Sequence, residues 1–356
     1  MRIASVGRAL PEHAYSQEQL LDALKRHWAG RFHNTSRLDQ LHRNVLVGGR
    51  HLALPIEEYE NLDSFGASND AWIRCAVDLG ERAIRDALEA AQLRPDEIRH
   101  LFFVSVTGIA APSIDARLVN RMGLRTDLKR TPIFGLGCVA GAAGIARAAD
   151  YVRGFPDEVA VLLSVELCSL TLQREDLSIP NLIASGLFGD GAAAAIVVGE
   201  ERARRLGGEI AAAPEVVATR SIFYPDSERV MGWDISERGF QIVLSADVPR
   251  VVEEHLRADV DLFLADQGLT RRDIASWVAH PGGPKVLEAM EHALETPPGA
   301  LELTWRSLAA VGNLSSTSVL LVLRDTLAER RPPAGSLGLL LALGPGFCSE
   351  LVLLRW

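Results

Sequence analysis

GLGCVAGAAGIARAAD, residues 135–150, puts one cysteine, Cys138, just after two glycines and at the head of a small-residue run with helical spacing. A thiol at a helix N-terminus faces unpaired backbone N–H groups and the positive end of the helix dipole. Both favour thiolate over thiol, so the position suits a nucleophile. The other reading is a small buried residue in a tightly packed helix, the commoner fate of a free cysteine. The rest of the chain has to decide between them.

The chain has 356 residues, enough for about two ordinary domains or two fused halves. It is 48% hydrophobic with mean hydropathy +0.10, so it can bury a large core. A net charge of −9 argues against nucleic acid as a main partner, because phosphate binding needs a basic face. A local basic patch at the mouth of a site stays compatible with it. The start of the chain, MRIASVGRALPEHAYSQEQ, has no long apolar core and does not read as a signal peptide. The longest apolar run, near Leu337 to Leu343, is too short to span a bilayer. Cys75, Cys138, Cys168 and Cys348 are scattered, with no CxxC or Cys/His pairing to suggest a metal site or a disulfide framework. These features predict a soluble, cytoplasmic protein with reduced thiols.

The pattern alternates helix and strand. Residues 69–91 carry apolar side chains at helical spacing, with Cys75 on the apolar face. HLFFVSVTG (100–108) reads as a buried strand, SIDARLVNRMGL as a helix, EVAVLLSVEL (158–167) as another buried strand, and GDGAAAAIVVG (189–199) as a turn and a strand. The second half follows the same order: ASWVAHPGG (275–283), a helix over PKVLEAMEHAL, a small-residue helix within GNLSSTSVLLVLRDTLAE (312–329), and strands at SLGLLLALG (336–344) and CSELVLLRW. The spacing predicts a weak internal duplication: a fused α/β pair with a pseudo-two-fold axis, whose small-residue helices pack close to each other. Its seam falls in residues 201–221. In such a layered fold, site residues gather at strand ends and helix N-termini.

In twin halves Cys138 and Asn313 occupy equivalent helix starts, and His280 sits at a strand end in HPGG. Cys-His-Asn has a clear chemical logic. His280 can hold Cys138 as a thiolate by pairing with it. His280 Nε2–H and the Asn313 amide can both donate to one carbonyl oxygen. A carbonyl so held can be attacked, or can collect enolate charge as a neighbouring carboxylate leaves as carbon dioxide. Taken singly, His280 also reads as a strand-end cap and Asn313 as an N-cap or left-handed residue after glycine.

At these residues the chain resembles the type III polyketide synthases, the chalcone synthase superfamily of the thiolase fold. The stretches that carry the resemblance are GCVAGAAGIARAADYV, GLFGDGAAAAIVVG (186–199), AHPGGPKVLEAME (279–291), GNLSSTSVL (312–320) and LGPGFCSELVLLR (343–355). HPGGP with GNLSS separates this family from ketoacyl synthase III. The resemblance implies duplicated βαβαβ halves in a layered αβαβα arrangement, residues 1–200 carrying the nucleophile and 201–356 the histidine and asparagine. It implies a homodimer that takes acyl groups directly from coenzyme A, with no carrier protein and no metal or redox cofactor. Cys138 would accept the starter acyl group. His280 and Asn313 would hold the malonyl-CoA thioester through decarboxylation and Claisen condensation.

The resemblance also implies roles around this triad. Phe188 matches a gatekeeper phenylalanine between the coenzyme A tunnel and the cavity. A second gatekeeper aligns with Ile242, and the smaller residue would open space and remove an aromatic surface. Thr171, Cys168, Ser315 and Thr107 match cavity-wall positions, and Ala111 falls where family members send a residue across the dimer. Arg43 aligns with a coenzyme A lysine, with Arg37 and Arg50 near it, and Lys285 follows HPGGP; each also reads as a solvated surface charge. The family's GFGPG loop is ALGPG here (342–346). An apolar pocket and Ile242 favour a medium or long fatty acyl-CoA starter, giving alkylpyrones or alkylresorcinols. ELCS and MGWDI also resemble members that make tetrahydroxynaphthalene from malonyl-CoA alone. Such members are expected to carry a second cysteine where this chain has Thr171, which places that reading second. A Cys-His-Asn thioester or amide hydrolase is the rival from another reaction class.

Overall fold

The strands that fill the core read as unbroken apolar runs, and such runs belong to strands covered on both faces. The computed structural model describes residues 1–31 and 34–356. Seven strands lie in the first half: β1 (Arg2–Ala9), β2 (His13–Ser16), β3 (Gly49–Leu52), β4 (Ile98–Val104), β5 (Lys129–Ile133), β6 (Val159–Leu167) and β7 (Asp190–Val198). Six lie in the second: β8 (Glu215–Phe223), β9 (Met231–Ser236), β10 (Gly239–Leu244), β11 (Ile274–Ala279), β12 (Leu337–Gly344) and β13 (Cys348–Arg355). Every residue of β6 and β7 is buried.

The main sheet runs β5-β4-β6-β7-β1-β8-β13-β12-β11. Its two halves join through a single pair, Arg2 with Glu215. The pairing pattern repeats across that junction. β4 and β6 are parallel, and β6–β7 and β7–β1 are antiparallel. β11 and β12 are likewise parallel, and β12–β13 and β13–β8 antiparallel. β5, which continues the first half beyond β4, has no counterpart among the described residues.

Alternation along each strand sorts side chains into three cores. Ala160 and Leu162 of β6 and Leu340 and Ala342 of β12 share the central core. Val161 and Leu163 face an outer core under the Phe65–Ala91 helix. Leu339 and Leu341 face another, under the Val248–Ala265 and Pro284–Leu294 helices. The arrangement is helix, sheet, helix, sheet, helix. The Phe65–Ala91 helix starts four residues before the apolar periodicity does, because Ser64 caps it by accepting from the Ala67 N–H. No helix among the described residues is long and apolar enough to cross a membrane.

The middle layer holds the nucleophile helix, Ala140–Gly154, against its twin, Ser316–Glu329. Their contact has no room for a side chain at Gly141: a Cβ there would sit 2.3 Å from the Ser316 carbonyl oxygen and 2.6 Å from Val319 Cγ1. Gly154, at the other end of the same helix, has nothing within 4 Å of its Cβ position. Gly141→Ala should therefore destabilise the protein by about 1–3 kcal/mol through overpacking. Gly154→Ala should be neutral or stabilising by up to roughly 1 kcal/mol. Urea unfolding of the two variants side by side checks this, and equal midpoints would contradict the close approach.

Candidate active site

Cys138 lies in a tight turn, Gly137–Val139, that runs directly into the Ala140–Gly154 helix. The turn is pressed from the side by the loop after β12. Gly137 has φ +55°, and a Cβ on it would lie 2.6 Å from the Pro345 ring. A Cβ on Gly344 would lie 2.8 Å from the Val139 nitrogen and 3.3 Å from that of Cys138. The ALGPG loop thus keeps close contact with the nucleophile turn without its first glycine or its aromatic.

His280 follows β11 directly and extends the parallel pairing, its N–H donating to the Leu341 carbonyl at 2.9 Å. Asn313 is fixed at four points. Its N–H donates to Leu187 O at 2.9 Å and its carbonyl accepts from Gly189 N at 3.0 Å, making a bridge with Phe188. Its side-chain Oδ1 accepts from Ser315 N at 2.8 Å, and Nδ2 donates to Gly282 O at 3.3 Å. The amide orientation is set by those two bonds, and Nδ2 keeps a second N–H. Ser315, at φ +46° and ψ −128°, is strained for a residue with a Cβ. Its Oγ lies 3.6 Å from Cys138 Sγ. A continuous path therefore runs from Cys138 through Ser315 and Asn313 to the loop after His280. Ser315 belongs to that path, and it does not line either of the two cavities described below.

Electrostatics bear against one expectation. No hydrogen bond joins Cys138 and His280, and both ring nitrogens of His280 are buried without a protein partner. Burial pushes the Cys138 thiol up to about 12, against the opposing Ser315 hydrogen bond. Burial alone pushes His280 down to about 3. Burial thus opposes a resting thiolate–imidazolium pair from both sides. The helix N-terminus does favour thiolate, but by at most about 2 kcal/mol, whereas full burial can shift a group by about 3–5 pK units. Burial wins.

Glu166, inside the apolar run of β6, escaped the sequence reading. It is fully buried beside the site and burial pushes it up to about 7. Its carboxylate accepts from Thr107 Oγ1 at 3.0 Å, Val106 N at 3.1 Å and Ser316 Oγ at 2.5 Å. A lone carboxylate in an otherwise apolar strand was the available signal.

Two cavities share a wall formed by Thr171, Leu172 and Arg174. One, of about 140 Å³, is walled by Cys168, Thr171, Phe188 and Ile242 with Arg50 and Tyr59. The other, of about 510 Å³, is lined by Thr107 and Thr171 with polar neighbours such as Asn69, Gln173 and Arg238. Cys138, His280 and Asn313 line neither. Phe188 links the first cavity to the triad, since it walls that cavity while its backbone pairs with Asn313. The aromatic surface expected to be lost at Ile242 is supplied by Trp233, its partner across the β9–β10 hairpin, which lines the same cavity. Thr171 Oγ1 donates to the Cys168 carbonyl at 2.8 Å, and burial pushes the Cys168 thiol well above its ordinary range.

Ala111 is exposed, just before the Ile114–Met122 helix. Arg37, Arg43 and Lys285 are exposed too, and none makes an ion pair among the described residues. Arg50 departs from that group: it is buried, with Nη1 donating to the Phe188 carbonyl at 2.8 Å, so it is no part of a solvent-facing basic rim.

Comparison with known proteins agrees with this geometry. The family description for chalcone and stilbene synthases matches residues 1–201 with its N-terminal domain and 215–356 with its C-terminal domain. The chain is 52% identical over 354 residues to a 1,3,6,8-tetrahydroxynaphthalene synthase of Streptomyces peucetius subsp. caesius, covering 99% of this chain and 93% of that protein. It is 32% identical over 354 residues to a phloroglucinol synthase of Pseudomonas fluorescens, covering 97% and 96%. It superposes on the crystal structure of the tetrahydroxynaphthalene synthase of Streptomyces coelicolor A3(2), a bacterial type III polyketide synthase, with TM-score 0.93 and 31% identity over 100% of this chain and 99% of that one.

A neutral resting thiol has a kinetic signature. Alkylation of Cys138 by iodoacetamide, followed by mass spectrometry of its peptide, should rise roughly tenfold per pH unit between about pH 7 and 9, because only the thiolate reacts. A rate that is flat over that range would mean a preformed thiolate–imidazolium pair instead.

Proposed function

The chain is a type III polyketide synthase of the chalcone and stilbene synthase family, an acyltransferase that condenses malonyl-CoA units, and from that premise we propose that it builds its product from malonyl-CoA alone, as a tetrahydroxynaphthalene synthase. The observation that carries this is the 52% identity over 99% of the chain to an enzyme of that name. It reverses the order of the two readings drawn from sequence, where a fatty acyl starter came first. The cavities support the reversal. The apolar one, at about 140 Å³, is near the size of a cavity that takes a single benzene ring. The roomier one is walled largely by polar side chains. A chain with a carbonyl on alternate carbons finds hydrogen-bond partners there, and an alkyl tail does not.

The triad divides the chemistry. Cys138 gives its proton to His280 as its sulfur attacks the thioester carbon, and the departing coenzyme A thiolate takes that proton away. A malonyl-CoA thioester oxygen then rests on His280 Nε2–H and the free Asn313 Nδ2–H. Loss of carbon dioxide leaves an enolate whose charge gathers on that oxygen, where the two donors stabilise it most. The enolate carbon attacks the Cys138 thioester, and the Cys138 thiolate leaves. A histidine that stays neutral suits the middle step, since an imidazolium would protonate the enolate instead of holding it. A naphthalene ring has ten carbons, so a product of the kind named for the relative needs five two-carbon units and five decarboxylations.

The test is incubation of the purified protein with labelled malonyl-CoA, alone and with acyl-CoAs of increasing length, reading product masses. A five-unit product from malonyl-CoA alone is expected. Extension of long-chain starters would restore the alkylpyrone or alkylresorcinol reading, and free acid without malonyl consumption would mean hydrolysis. Cys138→Ala should abolish condensation. His280→Ala and Asn313→Ala should each slow decarboxylation by roughly 10²–10³. Normal release of carbon dioxide from malonyl-CoA by either variant contradicts these roles.

A further inference from the structure

Arg50 is 5% exposed, yet it carries a guanidinium. Its stem is clasped by two glycines from the two sides of the site. A Cβ on Gly312 would lie 3.2 Å from Arg50 Cγ and Cδ, and one on Gly189 would lie 3.5 Å from Cγ. Gly312 precedes Asn313, and Gly189 follows Phe188. The head group donates through Nη1 to the Phe188 carbonyl at 2.8 Å. Arg50 thus threads the place where the cavity wall and the asparagine loop pair with each other.

The arrangement is poor as a device for stability. Nε is buried without a partner. Asp190, the nearby counter-charge, spends its oxygens on Ala53 N at 2.6 Å, Ser169 N at 2.8 Å and the Ser169 hydroxyl. A buried cation with an unfilled donor is generally less stable than an apolar side chain of similar volume. The geometry has another use. The Phe188–Asn313 bridge is an isolated one, outside the sheets, and the glycines beside it let the two segments approach closely: a Cβ on Gly189 would lie 2.5 Å from the Val311 carbonyl oxygen and one on Gly312 2.6 Å from that of Leu187.

We propose that Arg50 is a positioning residue, which locks the Phe188–Gly189 turn onto Gly312–Asn313 and so sets the Asn313 amide where the malonyl thioester oxygen is held. This rests on the reading of Asn313 as a donor to that oxygen. Arg50 does not touch the reacting atoms. It acts by fixing a loop, and a misplacement of about 1 Å can cost on the order of 10² in rate.

Arg50→Met fills the same channel without the charge or the bond to Phe188. Its expected signature is a split. Release of labelled carbon dioxide from carboxyl-labelled malonyl-CoA should fall by about 10²-fold in kcat with little change in KM, while alkylation of Cys138 keeps its wild-type rate and the melting temperature does not drop. Arg50→Lys, which keeps a charge but not the planar fork, should show a milder form of the same split and covers the case in which Arg50→Met does not fold. A decarboxylation rate unchanged in the variant that folds overturns the proposal. So does a parallel loss of decarboxylation, alkylation and melting temperature, which is what a merely structural residue would give. Asn313→Ala run alongside separates the premises: normal decarboxylation by that variant sinks the role of Asn313 itself, whatever Arg50 does.

Discussion

Everything in this molecule depends on two helices touching backbone to backbone in its middle layer. Gly141 and the Ser316 carbonyl meet where even a methyl group does not fit. That contact brings the start of one helix, with Cys138, against the start of the other, with Ser315. Close packing of this kind explains the composition of the Ala140–Gly154 helix, in which alanine and glycine are buried on nearly every side. A helix wrapped by a sheet on each face and by its twin keeps only a narrow solvent strip near its far end, at Arg147, Asp150 and Arg153, so its first turns carry no polar face. The flanking sheets follow from the same constraint, since each must turn apolar side chains to both faces.

Burial that makes the site also sets its electrostatics. A group taken out of water prefers its neutral form, whichever sign its charge has. Cys138 is pushed up, His280 down and Glu166 up for this one reason. The helix dipole at Cys138 is real and too small to reverse it. The consequence is a site whose burial disfavours charge at rest, so that charge separates mainly while substrate is reacting. That suits a reaction whose intermediate is an enolate, because no strong acid lies next to it. It also makes the donors to that enolate, His280 and Asn313, depend on position rather than charge, which raises the importance of whatever holds them.

Much of this was legible in the sequence wherever the reading rested on a local pattern. The runs in β6, β7 and β12, the small-residue helices, and the glycines around Cys138, His280 and Asn313 all announce themselves, because glycine and continuous apolar stretches have few physical explanations. Three things did not. β1, the short half-exposed helices and strands that follow it to Leu52, and the β9–β10 hairpin have no long apolar run, so these elements, and with them Trp233, went unassigned. Arg50 looked like surface because arginine nearly always is; only the tertiary packing of Gly189 and Gly312 around its stem shows otherwise. Glu166 was hidden by its own strand. The burial that opposes a thiolate at Cys138 was hidden for a related reason, since a helix start is visible in a sequence and the depth of its burial is not.

Substrate preference is the furthest point to which the physics reaches, and here residue identity at one position decides less than the shape of the wall. Ile242 in place of an aromatic reads, in isolation, as a wider and more aliphatic pocket. In the fold its cross-strand partner Trp233 turns into the same cavity, so the change moves an aromatic surface instead of deleting it. What remains is a small apolar chamber beside a larger one rich in amide, hydroxyl and charged groups. Desolvating a carbonyl without a partner is unfavourable, and so is leaving a wall of polar groups against an alkyl chain. A poly-carbonyl chain avoids both penalties. The polarity of the larger chamber therefore pulls in the same direction as the identity to the tetrahydroxynaphthalene synthase, and the two are independent: one concerns which residues are shared, the other which chemistry the described surface can solvate.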